Sequence, residues 1–272
     1  MFADSISPGA RKTEDEHRDD LCTAGRWIHR RGFVASTDGN LSVRLDPSRI
    51  LTSPTGISKG MMVPDDLVIT DLQGRKLSGH REPSSELAMH LLIYRRRPDV
   101  HAVCHAHPPT ATAYAAAGIP LNKALLSEIV LTLGCVPVAQ YGTPGTPDLS
   151  EALEPLVQNF DAILMANHGA VTCGADLLTA FFRMETVEHF AQVSLFTELL
   201  GKQVLLSGGD VEKLLAARAR YGTKTASTAG AGCLVTRESA GAAPDGTGRI
   251  SVTREELEAL IEEAVRKDRA LR

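Results

Sequence analysis

Apolar residues recur along this chain in two rhythms, and the switches between them mark its elements. Leu21, Ala24, Trp27 and Ile28 follow at helical spacing behind a Thr13-x-x-Glu16 capping box, which predicts a helix to Arg31, closed by Gly32. Ser36-Thr-Asp-Gly-Asn40 has turn composition, and short strands are expected over residues 41–45 and 49–53. Residues 66–71 alternate like a strand that Gln73-Gly74 turns back. Leu87, Ala88, Leu91 and Leu92 restore the helical rhythm behind Pro83-Ser84-Ser85 and place Glu86 in the first helical turn. Residues 100–106 read as a strand stopped by Pro108-Pro109, followed by a helix over residues 109–117 that Gly118 ends. Two apolar runs, residues 129–133 and 136–139, are expected as strands interrupted by Gly134. Residues 148–159 suit a helix, and residues 161–166 a buried strand running into Asn167-His168-Gly169. Residues 176–200 carry the longest helical pattern and residues 209–221 another.

Helices and strands thus interleave without a glycine-rich nucleotide loop, and the fold class expected is α/β, layered, with a mostly antiparallel central sheet flanked by helices. The pattern divides the chain into a domain over residues 1–221, a Thr/Ala/Gly/Ser-rich linker over 222–250 and an amphipathic helix over 251–272. That last helix opens with the capping box Thr253-Arg-Glu-Glu256 and carries Leu257, Leu260, Ile261, Ala264 and Val265 on one stripe. A lone amphipathic helix on a tether is marginal in water, so its stripe is expected to dock on something.

Composition narrows the function classes. A 272-residue chain with 43% hydrophobic and 23% charged residues has a globular balance, and a net charge of -4 gives no electrostatic case for binding nucleic acid or an anionic membrane. No apolar run approaches membrane-spanning length, and Met1-Phe-Ala-Asp-Ser5 has no secretory pattern, so no membrane contact is expected. The five cysteines, Cys22, Cys104, Cys135, Cys173 and Cys233, are scattered and never form a C-x-x-C pair, which suits a reducing cytoplasm.

The candidate chemistry starts from His105 and His107. Alternate residues of a strand share a face, so both imidazoles point one way, within reach of the helix-borne Glu86. Two histidines at this spacing are also common by chance, and a third ligand has to decide. His168, between a buried strand and Gly169, is that third candidate. His29, His90 and His189 fall within helical patterns and read as packed or solvated, and Glu185 and Glu188 as one solvated face of the long helix. Ser84 and Ser85 at a helix start, with Asn40, Thr55 and Gly56 in nearby loops, offer donors to an anion; cap and turn chemistry explains them equally well.

Five blocks in order now resemble one family: Thr37-Asp-Gly-Asn-Leu-Ser-Val-Arg44, Thr52-Ser-Pro-Thr-Gly-Ile57, Glu82-Pro-Ser-Ser-Glu86, His105-Ala-His107 and Asn167-His-Gly169. They are similar to the class II aldolase/adducin family, and most of all to its sugar-phosphate aldolases of the L-fuculose-1-phosphate type. The resemblance implies a tetrameric α/β fold, Zn2+ held by His105, His107 and His168, and Glu86 as the catalytic carboxylate. It also assigns Thr37, Gly39, Asn40, Thr55, Gly56, Ser84 and Ser85 to substrate phosphate. The reaction implied is cleavage of a deoxyketose 1-phosphate, of the L-fuculose or L-rhamnulose type, to dihydroxyacetone phosphate and lactaldehyde. Alternatives on the same metal site are 4-epimerisation of a pentulose phosphate and decarboxylation of an aromatic acid; a non-catalytic adducin-like assembly module is the reading outside enzymes. One departure stands out: the family tyrosine that protonates the aldehyde-derived oxygen should fall near Ala124-Leu125-Leu126, where no tyrosine occurs, and Tyr221 matches a second family tyrosine that takes its place. The linker and terminal helix resemble encapsulation peptides that bind bacterial microcompartment shell proteins, which would place the enzyme in the compartment lumen. The other reading is a helix packed on its own tetramer.

Overall fold

The computed structural model describes residues 12–218 and 233–240. An eight-stranded sheet runs through the centre, and its strands are β1 (Asn40–Arg44), β2 (Arg49–Thr52), β3 (Val68–Asp71), β4 (Lys76–Ser78), β5 (Ala102–Ala106), β6 (Val138–Ala139), β7 (Ala162–Met165) and β8 (Gly169–Gly174). Their order is β4-β3-β2-β1-β5-β8-β7-β6, and every pairing is antiparallel except β6 with β7. The helices are α1 (Glu14–Arg30), α2 (Leu87–Arg96), α3 (Pro109–Ala117), α4 (Ser127–Thr132), α5 (Pro147–Val157), α6 (Leu177–Leu199) and α7 (Gly208–Ala217).

Strand alternation sorts the core into two layers. Ala102, Cys104 and Ala106 of β5 face Leu21 and Ile28 of α1, Tyr114 of α3 and Met184 and Phe190 of α6. Val103 of β5, with Ile163 of β7 and Val171 of β8, faces Leu87, Leu91 and Tyr94 of α2 and Leu149 and Leu153 of α5. His105 shares the parity of Val103, so the strand that fills the core also delivers an imidazole to the α2 face. The sheet register sets Asn40 opposite His105 on one side and Val171 opposite it on the other.

Most elements stand where the apolar rhythm puts them. The Thr13 capping box forms in full, Gly118 ends α3 in a left-handed conformation, and Asp176 caps α6. Residues 129–133 depart from the strand expected there: they lie in and just after α4, with Ile129, Val130 and Leu133 buried at helical spacing. A five-residue apolar run has no decisive period of its own, so its neighbours set its conformation. Val138–Ala139 does pair as a strand, while Val136 makes a single bridge to Leu121. Glu86 caps α2 rather than sitting inside its first turn, because Ser84 accepts from the backbone N–H groups of both Glu86 and Leu87.

Glu185 and Glu188 are not one solvated face. Glu185 pairs with Arg31, whereas Glu188 is 4% exposed and its carboxylate accepts from the backbone N–H groups of Thr110 (3.1 Å) and Ala111 (2.8 Å). It thereby satisfies the orphan donors at the start of α3, two residues beyond His107. The cysteine expectation also changes: Cys135 and Cys233, 98 residues apart, form a disulfide, and Cys22, Cys104 and Cys173 are free and buried. That pairing is set by the fold and has no local signature in the chain.

The compact unit runs to Arg237, beyond the boundary expected at 221. Inside the stretch read as linker, Leu234 is buried, Val235 exchanges backbone hydrogen bonds with Asn122 and Ala124, and a short helix, α8, spans Arg237–Ala240. The second unit, from Glu238 on, is described only to Ala240. Tyr221 and the helix expected over residues 251–272 lie outside the described residues. Among the described residues no helix is long and apolar enough to cross a membrane.

Removing the Glu188 carboxylate takes the acceptor from one buried and one half-buried backbone N–H, so Glu188→Ala should lose about 1–3 kcal/mol in a urea unfolding titration. A loss under about 0.5 kcal/mol would show that the carboxylate does not hold α3.

Candidate active site

His105, His107 and His168 come together from two separate places. His105 is the penultimate residue of β5, and His107 follows the strand end, tied by its backbone N–H to the Phe33 carbonyl. His168 sits in the turn between β7 and β8, where Asn167 takes the left-handed conformation that asparagine tolerates. Gly169 is required beside it: a Cβ there would lie 2.6 Å from both the Ala106 carbonyl oxygen and the His107 ring. The three ring centroids are 4.7–5.0 Å apart, and one potential ligand atom from each residue lies within 4.8 Å of the others.

Hydrogen bonding shows which nitrogens are free. His105 Nδ1–H donates to the Ala170 carbonyl at 2.9 Å, which leaves the Nε2 lone pair pointing at the cluster. That Nε2 is 3.1 Å from His107 Nε2 and 3.2 Å from Glu86 Oε2. His107 Nδ1 faces Asp38 Oδ2 at 3.7 Å. His168 Nε2 is 3.1 Å from Glu86 Oε1, yet Glu86 Oε1 and His168 Nδ1 are both buried without a hydrogen-bond partner. Burial and the two neighbouring rings push His107 down to about 3, so it is a neutral donor at physiological pH. Burial alone would raise the Glu86 carboxyl, but the His105 and His168 imidazoles beside it reverse that and hold it below the usual carboxylate range. Three imidazoles with ligand atoms within 4.8 Å of one another, beside a buried carboxylate oxygen lacking a donor, fit a divalent cation that takes nitrogen ligands.

Behind Glu86 runs a buried chain of hydrogen bonds whose direction the carboxylate dictates. Glu86 Oε2 can only accept, so Asn40 turns its Nδ2 toward it (2.9 Å) and its Oδ1 toward His90 Nε2 (2.5 Å). His90 therefore donates from Nε2 and accepts at Nδ1 from the Ser42 hydroxyl (2.6 Å), which in turn accepts from Tyr94 O–H (2.8 Å). Burial pushes His90 down to about 3, consistent with this neutral tautomer. His90 is packed, as its helical position implies, and it is also one link from the carboxylate.

A cavity of about 250 Å³ opens onto Glu86, His107 and His168. Thr37, Gly39, Asn40, Thr55, Gly56, Ser84 and Ser85, the positions assigned to phosphate by resemblance, all line it. Asn40 is only 2% exposed, and its amide spans Glu86 and His90, so it orients the carboxylate as well. Asp38, Lys59 and Pro144 line the same cavity without having been singled out from the chain; Lys59 follows the Thr55-Gly56 loop by three residues, the one local hint of it. Ala124 is buried in the core and Leu125 and Leu126 are half-buried against it; none of the three lines the cavity.

Residues 19–195 match the family model described as Class II Aldolase and Adducin N-terminal domain. The chain is 34% identical over 196 residues to a 3-oxo-tetronate 4-phosphate decarboxylase of Haemophilus influenzae, covering 71% of this chain and 92% of that protein. It is 32% identical to a 5-deoxy-D-ribulose 1-phosphate aldolase of Bacillus thuringiensis, covering 76% of this chain and 97% of that one. A solved L-fuculose 1-phosphate aldolase superposes with a TM-score of 0.71 at 30% identity, covering 79% of this chain and 100% of that chain.

Chelator-treated protein should take up one divalent ion per chain in calorimetric titration, and His168→Ala should weaken uptake by about 100-fold or more. Undiminished uptake by that variant would remove His168 from the ligand set.

Proposed function

The chain belongs to the class II aldolase and adducin family, and from that premise we propose that it is a metal-dependent lyase acting on a phosphorylated sugar. The substrate we infer is a deoxyketose 1-phosphate of the L-fuculose or L-rhamnulose type, split into dihydroxyacetone phosphate and lactaldehyde. The observation that carries this reading is the meeting of His105, His107, His168 and Glu86 beside a cavity whose lining also offers neutral donors for phosphate.

His105, His107 and His168 would hold a zinc ion, which would supply Lewis-acid polarisation at the reacting end of the substrate. The protein's own residues do the rest. Ser84, Ser85, Thr37 and Thr55 orient the phosphate with hydroxyl and backbone N–H groups, which sets the distance from phosphate to reacting carbon. Glu86 is held through Oε2 by Asn40, so Oε1 is the oxygen left to carry a proton to or from the reacting carbon. Tyr221, on the strength of its sequence position, serves in this reading to exchange a proton with the hydroxyl that becomes the aldehyde, taking it up on cleavage and returning it on addition. Exposed apolar side chains along α6, including Phe182, Phe196 and Leu199, support a homotetramer. A place in a microcompartment lumen rests on the sequence of residues 251–272.

A second reading, decarboxylation of a phosphorylated keto acid, is favoured by one observation. Residues 124–126 bring no tyrosine, and loss of carbon dioxide breaks no bond to a carbinol carbon, so no hydroxyl proton has to be removed. The name of the Haemophilus relative points the same way.

Zinc-loaded protein given both substrate classes should release dihydroxyacetone phosphate from a deoxyketose 1-phosphate, and Glu86→Gln should cut kcat by about 10²–10⁴-fold. Carbon dioxide from 3-oxo-tetronate 4-phosphate with no triose phosphate from any ketose would replace the first reading by the second.

A further inference from the structure

Among the described residues lining the cavity, Lys59 is the one lysine or arginine. It begins the 3-10 turn Lys59–Met61 and is 1% exposed. Its Nζ donates to the Thr37 carbonyl at 2.7 Å and the Ile57 carbonyl at 2.8 Å. Those acceptors belong to the two loops that carry Thr37, Gly39 and Asn40 on one side of the cavity and Thr55 and Gly56 on the other. The turn reaches this place because α1 has Gly25 beneath it: a Cβ there would lie 2.5 Å from the Lys59 carbonyl oxygen. Glycine is disfavoured inside a helix, and here the close approach requires it.

The ammonium is under-compensated. It has three N–H donors, two of them on neutral carbonyls, and no described carboxylate lies within ion-pair distance. A buried cation with only dipolar partners is costly unless an anion completes its environment. Burial accordingly pushes it down to about 8, with Asp38 and Glu86 acting in the opposite sense, and it is still mostly protonated at neutral pH. The rest of the cavity offers a phosphate only neutral donors, together with those two carboxylates. A phosphate dianion would therefore supply the missing countercharge, and Lys59 the missing cation.

We propose that Lys59 is the charge partner of the substrate's phosphate and the residue by which the cavity selects phosphorylated over unphosphorylated ketoses. This rests on the phosphorylated-sugar reading above and adds to it the residue that recognises the charge. A lysine serving only to staple the two loops would leave that selectivity unchanged.

Inorganic phosphate is the probe that separates the possibilities, titrated into zinc-loaded full-length protein by calorimetry. Lys59→Met should weaken phosphate binding at least 30-fold with zinc stoichiometry retained. Lys59→Gln, which can still donate to a loop carbonyl but carries no charge, should show a similar loss, and Lys59→Arg should recover part of it. In kinetics, the ratio of kcat/KM for the ketose 1-phosphate to that for the free ketose should fall by the same factor in the Met and Gln variants. Phosphate binding by wild type and by Lys59→Gln with equal affinity overturns the assignment and leaves the phosphorylated substrate standing. A wild type that binds no phosphate overturns both. Recovery of full affinity in the Gln variant, with loss only in Met, assigns Lys59 to loop stapling and also overturns the proposal.

Discussion

A carboxylate pressed against two of three clustered imidazoles, largely out of water, is the constraint on which the site depends. Glu86 and the imidazoles of His105 and His168 are close enough to interact strongly, but they leave Glu86 Oε1 without a donor and the His105 and His107 Nε2 atoms facing one another. With His105 Nδ1 donating to the Ala170 carbonyl, its Nε2 lone pair can accept from His107 Nε2–H at 3.1 Å but also faces a Glu86 carboxylate oxygen at 3.2 Å. A cation removes both difficulties together, and that is why the arrangement reads as a metal centre rather than a structural histidine cluster.

The surrounding fold holds these groups still. β5 sits between β1 and β8, so His105 is clamped by ladder hydrogen bonds on both sides and its ring by the Ala170 carbonyl. Asn40 occupies the facing position on β1 and hands its amide to Glu86, backed by His90, Ser42 and Tyr94. Glu188 reaches across from α6 to pin the start of α3 just after His107. His105 and Glu86 are thus each supported by a second polar group on a different element, the arrangement that keeps a site within a fraction of an ångström of its working geometry.

Much of this was legible in the chain, and the exceptions have physical causes. Strand parity was enough to set His105 and His107 together, and the break between residues 166 and 169 was enough to suspect His168. The long helices α1 and α6 announce themselves by caps and period, whereas α4 does not, because six residues around an apolar run carry no period that separates helix from strand. Glu188 looked solvated because two of its partners are backbone N–H groups on α3, which have no side-chain signature; the third, Gln192 Nε2, is one turn along α6. The Cys135–Cys233 pairing is likewise a product of tertiary approach across 98 residues. Lys59 was missed for a similar reason: it follows a recognisable loop without belonging to any motif, and only the folding of the two loops against each other brings it to the cavity, whereas Asp38 sat inside a recognised block without a role assigned to it.

X-ray absorption at the zinc edge of the loaded protein tests the central claim most directly. The account predicts a first shell of three imidazole nitrogens at about 2.0–2.1 Å, completed by oxygen, with no sulfur. A shell containing cysteine sulfur, or fewer than two imidazoles, would contradict it.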